Sequence, residues 1–169
     1  MGRGMIEGKV RKLFERIRSR NERISLRTTV MVGFPGETEA AFKRLLGFVK
    51  DAEFDHLGAF AFSREKGTAA ARMKNPVEQA VAERRRGRIM RLQATISRKK
   101  NKARIGQVVP VLVEGARANK ALWVAGRTAF MAPEVDGQVL IRGGVAEVGR
   151  IVPVRITGAG THDLVGERA

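Results

Sequence analysis

The chain has 169 residues, and its 33 Lys and Arg against 17 Asp and Glu give a formal net charge of +16. It contains no Cys and only two His, which excludes disulfide frameworks, thiolate metal sites, iron–sulfur ligation by this chain and cysteine nucleophiles. No run approaches the roughly 20 apolar residues of a membrane helix and no apolar signal-peptide stretch follows the basic start, so we expect a cytoplasmic protein without membrane contact.

The first part of the chain reads as helix, strand, helix, strand. The first helix ends near Asn21, and a buried strand over 24–34 stops at Pro35-Gly36. Thr38 is placed to cap the second helix, and a second strand covers 57–63. This order is typical of a parallel sheet with crossover helices. The apolar faces consist of Ile6, Val10, Leu13, Phe14 and Ile17 in the first helix and Phe42, Leu45, Leu46 and Val49 in the second.

A third, longer helix is predicted from Pro76 to Lys102, with Pro76 at a tolerated first-turn position. An apolar stripe on it, which would allow the helix to pack, consists of Val81, Ile89, Leu92 and Ile96.

The last third of the chain changes to short runs of alternating residues separated by glycines. Five strands in so short a segment predict a small five-stranded antiparallel barrel, because closure removes the sheet edges. Pro110 and Pro153 suit strand edges or bulges better than central ladder positions. The runs cover 106–115, 121–126, 137–144, 149–160 and 161–167.

The charge is distributed unevenly between these two parts. Residues 1–103 hold 25 basic and 11 acidic residues, an excess of +14, whereas 104–169 hold 8 and 6, an excess of +2. Because charge and periodicity change together, we predict two domains, 1–102 and 103–169.

The first candidate site is the turn from Gly33 to Thr38, between a strand and a helix N-terminus. Helix N-termini often bind anions, but Glu37 brings its own negative charge, and the spacing matches neither phosphate-binding glycine motif. A phosphate cradle is disfavoured. A structural turn and a ligand-facing turn both remain open.

The second candidate is the basic segment, defined as Arg84 to Arg104, which carries ten basic residues and no acidic one. It predicts contact with RNA or the ribosome, or else a solvated helix face. With 5% aromatic residues and no Tyr, a base-stacking platform has little support.

The third candidate is the loop from Ala132 to Gly137, which contains Glu134 and Asp136 in an otherwise basic chain. Turn chemistry alone explains Pro133, Asp136 and Gly137. No Ser-His-Asp arrangement and no convincing carboxylate pair for acid–base catalysis is visible in the sequence.

Several strings together resemble the carboxyl half of radical S-adenosylmethionine methylthiotransferases, ending in a TRAM domain. Within that family, APEVDG is similar to the branch that modifies an aspartate of a ribosomal protein. The strings are LRTTVMVGFPGETEAAF (26–42), LGAFAFSREKGTAAA (57–71), RIMRLQATISRKKNKARIGQ (88–107), GRTAFMAPEVDGQVLI (126–141) and RITGAGTHDLVGE (155–167).

The resemblance implies the carboxyl-terminal part of an open parallel α/β barrel, of partial TIM type, followed by a small OB-like TRAM barrel. It implies an enzyme that uses S-adenosylmethionine and two 4Fe-4S clusters to methylthiolate an aspartate of a small-subunit ribosomal protein. All cluster cysteines should lie upstream, so this chain resembles a carboxyl-terminal fragment that lacks the amino-terminal half and is inactive alone.

The site residues that the resemblance implies fall into two groups, and none is assigned a catalytic role. The S-adenosylmethionine side of the barrel would be lined by Gly33, Phe34, Pro35, Gly36, Glu37, Phe62 and Ser63. The loop typical of the ribosomal-protein branch comprises Ala132, Pro133, Glu134, Asp136 and Gly137. Its acidic charge would favour a basic ribosomal protein as substrate.

Two other functions remain open at this point. The chain could be a stand-alone RNA- or ribosome-binding module without catalysis, since TRAM domains as a group resemble RNA-binding modules. It could also be a truncated product without activity of its own.

Overall fold

The computed structural model describes residues 7–21, 24–116, 123–143 and 147–169. The chain forms two compact units, Met1–Gln93 and Ala94–Ala169. The first unit contains α1 (Glu7–Arg20), β1 (Arg27–Val32), α2 (Glu39–Ala52) and β2 (His56–Ala61), and α3 (Gln79–Lys102) passes through the division between the units. Ile6, at the predicted start of the first helix, lies outside the described residues.

Strands β1 and β2 form a two-stranded parallel sheet, as the sequence predicted, with α2 as the crossover helix. The register runs from Arg27 opposite His56 to Val32 opposite Ala61. Leu57, Ala59 and Val32 are buried on the sheet's packed face. The larger open barrel, of which these strands would be a part, stays a prediction.

Helix α2 shows why the local sequence signals were reliable. The Thr38 hydroxyl accepts a hydrogen bond from the Ala41 N–H at 3.1 Å, which is the predicted N-cap. Phe42 and Val49 are fully buried on the predicted apolar face. Helix α1 ends as predicted, where the Asn21 N–H donates to the Ile17 carbonyl at 3.0 Å.

The start of α3 differs from the prediction. The helix begins at Gln79, because the Glu78 carbonyl accepts the first helical hydrogen bonds, from Val81 and Ala82. Pro76 therefore precedes the helix, and its predicted first-turn position is wrong. The sequence PVEQA permits both starts, since the residues before a cap need no helical hydrogen bond.

The second unit contains a closed barrel in the order β3-β4-β5-β7-β6. Four of its five strand pairs are antiparallel, and β5 pairs with β7 in parallel. An odd number of strands in a closed ring cannot alternate throughout, so a purely antiparallel barrel was wrong in this one pair. The strands are β3 (Val108–Ala116), β4 (Trp123–Arg127), β5 (Val139–Arg142), β6 (Ile151–Ala159) and β7 (Leu164–Arg168).

The barrel core is built from the inward positions of these strands. Ten buried side chains fill it, most of them β-branched, which suits a pleated and half-buried surface. Residues 121, 122 and 144, which the sequence placed at strand ends, lie outside the described residues. The core comprises Val111, Val113, Val124, Met131, Val139, Ile141, Val152, Val154, Ile156 and Leu164.

The two barrel prolines lie opposite each other in the β3–β6 ladder. The ladder from β3 to β4 begins only at Leu112, and that from β6 to β7 only at Val154. Neither proline belongs to its strand's second ladder, which is the edge-like setting that suits a residue without an N–H, although the Pro153 carbonyl accepts the N–H of Ala169, just after β7, at 3.1 Å.

Among the described residues, no helix combines the length and the apolar composition that crossing a membrane requires.

Candidate functional site

The turn after β1 has the geometry of a type II β-turn. The Glu37 N–H donates to the Phe34 carbonyl at 2.9 Å, and Gly36 adopts a φ of +84° after Pro35. The Gly36 N–H donates to the Asn75 carbonyl at 2.8 Å. The backbone donors of Gly36 and Glu37 are therefore used within the protein.

Gly33, at the end of β1, permits a close approach of α3. Its φ is +77°, and a Cβ at this position would lie 2.3 Å from the Cβ of Ala82. Both the backbone conformation and the contact require glycine here. Gly33 thus fixes how closely α3 packs on the strand end.

The carboxylate of Glu37 stabilises the turn from inside. One oxygen accepts the Gly33 N–H, and the other accepts Arg85 Nη1 at 3.0 Å. Arg85 also donates to the Glu37 carbonyl at 3.2 Å. The side chains are only 12% and 8% exposed, so Glu37 is a buried structural carboxylate rather than a free acid or base.

Glu39 completes a network of four charged groups at the start of α2. It accepts hydrogen bonds from Arg85 Nη2 at 3.2 Å and from Arg88 Nη1 at 3.4 Å. Both guanidinium groups lie over the Phe42 ring, at 5.3 and 4.9 Å from its centroid. Desolvation of Glu39 opposes its ionisation, but the hydrogen bonds and charges of the two arginines outweigh it and hold the pKa of Glu39 below its ordinary value.

Phe62 and Ser63 follow the end of β2, which stops at Ala61, so they do not end the strand as the sequence suggested. The Phe62 ring meets the Phe34 ring edge-on at 5.2 Å. Both rings are half-buried, and the Ser63 hydroxyl donates to Glu65 at 2.9 Å. The structure therefore brings the two strand-end segments together as an apolar wall.

One face of the β1–β2 sheet carries large apolar side chains in the open. Met31 and Phe60 are register partners, and they are 40% and 60% exposed. Thr29 and Gly58 are the next pair on the same face. This face resembles the lining of a cavity more than a solvated surface.

The barrel loop from Ala132 to Gly137 is a tight, internally bonded turn. The Asp136 carboxylate accepts the Ala132 N–H at 2.7 Å, and Glu134 has a φ of +61°. The loop presents Val135, which is 72% exposed, next to the exposed Glu134. Its two acids therefore differ, since Asp136 holds the turn and Glu134 faces outward.

Gly137 connects this loop to the segment before β7. A Cβ on Gly137 would lie 2.0 Å from the His162 carbonyl oxygen. The Gln138 N–H donates to the Asp163 carboxylate at 2.8 Å. The acidic loop is thus supported by a second loop of the same barrel.

Most cations of the basic segment already have partners. Arg85 and Arg88 bind Glu39, Arg86 binds Glu83, and Arg104 lies 3.8 Å from the centroid of the Phe130 ring. Three further cations of the segment, Arg91, Lys99 and Lys100, also make interactions. Three of the ten have no partner in the described structure, namely Arg84, Arg98 and Lys102. RNA contact through this segment stays a prediction with reduced support.

No group of three His, Cys, Asp or Glu side chains that could hold a metal ion occurs in the part of the chain that the structure describes. The sequence contains no Cys. The residues present therefore do not fit an iron–sulfur cluster.

Sequence reasoning missed the role of Arg85. It grouped Arg85 with a polyanion-binding segment, whereas the structure buries it against the Glu37 turn. The sequence does contain one indication, the acidic Glu37 within the turn, whose carboxylate requires a cationic partner. It does not show which cation reaches that carboxylate.

Comparison with known proteins gives consistent results over the whole chain. A family model described as the TRAM domain matches residues 105–168. The ribosomal protein uS12 methylthiotransferase RimO of Gloeobacter violaceus is 51% identical over 156 residues, which is 92% of this chain and 35% of that protein. The protein of the same name from Syntrophotalea carbinolica is 46% identical over 167 residues, 99% of this chain and 37% of the relative.

A third relative of that name, from Anaeromyxobacter sp., is 49% identical over 166 residues, covering 98% of this chain and 35% of the relative. The chain thus spans little more than a third of the length of these curated relatives. From these similarities, the chain belongs to the RimO methylthiotransferase family, matches the carboxyl-terminal part of its members, and includes their TRAM domain.

Proposed function

We propose that this chain is the carboxyl-terminal part of a cytoplasmic radical S-adenosylmethionine enzyme that methylthiolates an aspartate of ribosomal protein uS12. The observation that carries the proposal is the identity of 51% over 92% of the chain to a protein named for that reaction. The described structure adds a parallel β1–α2–β2 unit and a closed five-stranded barrel. The closed barrel is consistent with the TRAM part that the resemblance implies, and the strand–helix–strand unit has the order expected of a piece of the open α/β barrel.

Each of the two proposed domains, 1–102 and 103–169, has its own proposed role. In the first, β1 and β2 would continue a larger open α/β barrel, and their exposed face with Met31 and Phe60 would look into it. This explains why large apolar side chains stand in the open on that face.

The strand-end turn is proposed as a wall of the S-adenosylmethionine pocket. Gly33, Phe34, Pro35, Gly36 and Glu37 would shape this wall, and Phe62 with Ser63 would extend it. The half-buried rings offer apolar contact, while the Glu37 carboxylate is paired with Arg85. S-adenosylmethionine would supply radical chemistry when reduced by an iron–sulfur cluster; the sequence has no Cys, and no group among the described residues could hold a metal ion.

The barrel loop is proposed as the contact for the substrate protein. Ala132, Pro133 and Gly137 shape the turn, and Asp136 bonds it internally. Glu134 and the exposed Val135 are the groups that the turn presents. An outward acid beside an apolar side chain suits a basic protein surface, because charge complementarity favours the encounter and apolar burial adds affinity.

A chimeric enzyme tests the proposed activity. The segment of the Gloeobacter violaceus relative that aligns with this chain is replaced by this chain, and the product is assayed for addition of one methylthio group to uS12 by mass spectrometry. We expect modified uS12 whenever S-adenosylmethionine and reductant are present.

The matched control for grafting is a chimera that carries the corresponding segment of the Syntrophotalea carbinolica relative. If that chimera modifies uS12 and the chimera with this chain folds but does not, the proposed function is wrong. Circular dichroism checks the fold of both.

A charge reversal tests the loop separately. Glu134→Lys should weaken binding of the 169-residue chain to uS12 by slowing association, and the effect should grow as salt is lowered. Glu167→Lys is the matched control, because Glu167 is exposed on the same barrel and its substitution by Lys changes the charge by the same amount. Equal affinity of the Glu134→Lys variant and the unmodified chain at low salt would exclude the loop as the contact.

A further inference from the structure

Four cations of α1 form a continuous stripe along the helix, which we call the α1 basic stripe: Lys9, Lys12, Arg16 and Arg20. At 3.6 residues per turn these positions fall within about 80° of the helix circumference. All four side chains are exposed, and none has a hydrogen bond or ion pair in the described structure.

The other two arginines of α1 attach the helix to its own unit. Arg11 binds Glu7 at 2.9 Å and Asp51 at 3.0 Å. Arg18 donates to the carbonyls of Ala52 and Glu53. The helix therefore uses its inward arginines for packing, and the stripe lies on the opposite side.

No acid of α1 is paired with the stripe in the described structure. The acids of α1 are Glu7, which binds Arg11, and Glu15, which lies about 100° from Arg16 and about 60° from Lys12 around the helix and forms no ion pair with either. Lys12–Arg16 and Arg16–Arg20 are like-charge pairs at i and i+4, each of which destabilises an isolated helix. On a face that is merely exposed to solvent, this repulsion between like charges brings no benefit, whereas a bound polyanion would reduce it.

The apolar face of α1 is not available to a lipid surface. Phe14 packs on Phe48 and Phe54, with ring centroids 6.0 and 5.4 Å away, and Val10 and Ile17 are half-buried. A helix that binds a membrane surface must insert its apolar face. The α1 basic stripe is therefore suited to an anion that binds by electrostatic attraction alone, without insertion of the apolar face.

We propose that the α1 basic stripe binds the phosphate backbone of RNA. From Lys9 to Arg20 it spans about 16 Å, long enough to meet several successive phosphates of one strand. The stripe carries no aromatic or amide side chain, so the contact would fix position without reading sequence. This contact does not depend on the methylthiotransferase proposal.

The test compares two variants of the 169-residue chain, each of which loses four positive charges. The stripe variant carries Lys9→Gln, Lys12→Gln, Arg16→Gln and Arg20→Gln. The control variant replaces four other exposed cations of the same unit that have no partner in the described structure, by Lys43→Gln, Arg44→Gln, Lys66→Gln and Lys74→Gln. Binding of a short mixed-sequence RNA duplex is followed by fluorescence anisotropy over a series of salt concentrations.

We expect the stripe variant to lose at least about tenfold in affinity at about 0.1 M salt and to lower the slope of log K against log salt by about 3 to 4, since each phosphate contact contributes about 0.9. The control variant should keep most of the affinity and most of the salt dependence of the unmodified chain. Equal losses in the two variants would show a general charge effect and would overturn the proposal. It would also be overturned if the unmodified chain bound vesicles of anionic phospholipid through these residues but did not bind the duplex.

Both variants should fold, because the replaced side chains make no hydrogen bond or ion pair in the described structure and Gln is a good helix former. Circular dichroism confirms this before binding is measured. Methylthiolation by the chimeric enzyme is measured separately, so a failure of either proposal can be recognised without the other.

Discussion

Replacing Glu37 by Gln removes the charge that compensates a buried arginine. Glu37 and Arg85 are 12% and 8% exposed, and their atoms are 3.0 Å apart. Removing one partner of a buried ion pair costs about 3 to 5 kcal/mol, because the other charge stays buried without compensation. Gln at position 37 can still accept one hydrogen bond, and Arg85 keeps the more exposed Glu39 as a partner at 3.2 Å, so we expect the lower end, about 3 kcal/mol. The Nε atom of Arg85 already lacks a hydrogen-bond partner, which leaves the guanidinium few alternatives.

Glu39→Gln is the matched control for this prediction. Glu39 accepts from the same Arg85, at 3.2 Å, but its side chain is 53% exposed. Water screens an exposed charge, so this variant should lose clearly less stability than Glu37→Gln. The chemical change and the shared cation Arg85 are the same, and the main difference is the burial of the carboxylate, although Glu39 also binds Arg88 and Glu37 also accepts the Gly33 N–H.

Urea unfolding followed by the helical circular dichroism signal measures both variants. With a urea dependence of about 1–3 kcal/mol per M, the Glu37→Gln midpoint should fall by roughly 1–3 M at an unchanged slope. The double variant Glu37→Gln with Arg85→Met should recover part of the loss, since it leaves no buried charge. Equal losses for Glu37→Gln and Glu39→Gln would refute the reasoning, as would a double variant less stable than either single change.

Three further predictions follow from the turns and the charged network. Gly33→Ala should cost about 1–2 kcal/mol for the left-handed backbone and about 1–3 kcal/mol more for overpacking. Gly36→Ala, which has open space around its Cβ position, should cost the backbone part alone, and thermal melts by circular dichroism compare the two variants. Gly137→Ala should destabilise the barrel far more than Gly143→Ala, because only the former places a Cβ against backbone; the fluorescence of the single tryptophan, in β4, reports the difference. The pKa of Glu39 is lowered in the folded state, so its ion pairs stabilise the fold above its ordinary pKa of 4.5, and this stabilisation is lost as pH falls through the lower value. Glu39→Gln should therefore lose less stability below about pH 4.5 than the unmodified chain does. Identical acid unfolding of the variant and the unmodified chain would contradict this.

Local chemistry made much of the fold predictable. Thr38 as a cap and Phe42 and Val49 as an inward face depend on residues a few positions apart, and the structure confirms all three. Strand alternation likewise located the barrel, because inward positions two residues apart must be apolar. The exact start of α3 was not predictable, since Pro76 can precede a helix or open one.

The candidate site was less predictable because its key contacts join distant parts of the chain. Gly33 must be glycine because Ala82 approaches it, and nothing near Gly33 in sequence announces that contact. Arg85 reaches Glu37 across 48 positions. A turn motif therefore indicates where a site lies, but the packing partner decides whether its carboxylate is free.

The cations show the same limit most clearly. The densest run of positive charge, from Arg84 to Arg104, drew attention in the sequence, yet seven of its ten cations have partners in the structure. The cations of α1 are fewer and are interrupted by acids along the chain, yet four of them share one face without any partner. Polyanion binding requires charges that are both free and aligned, and only the fold shows which ones are. That is why we propose the RNA contact for α1 and not for the most basic segment.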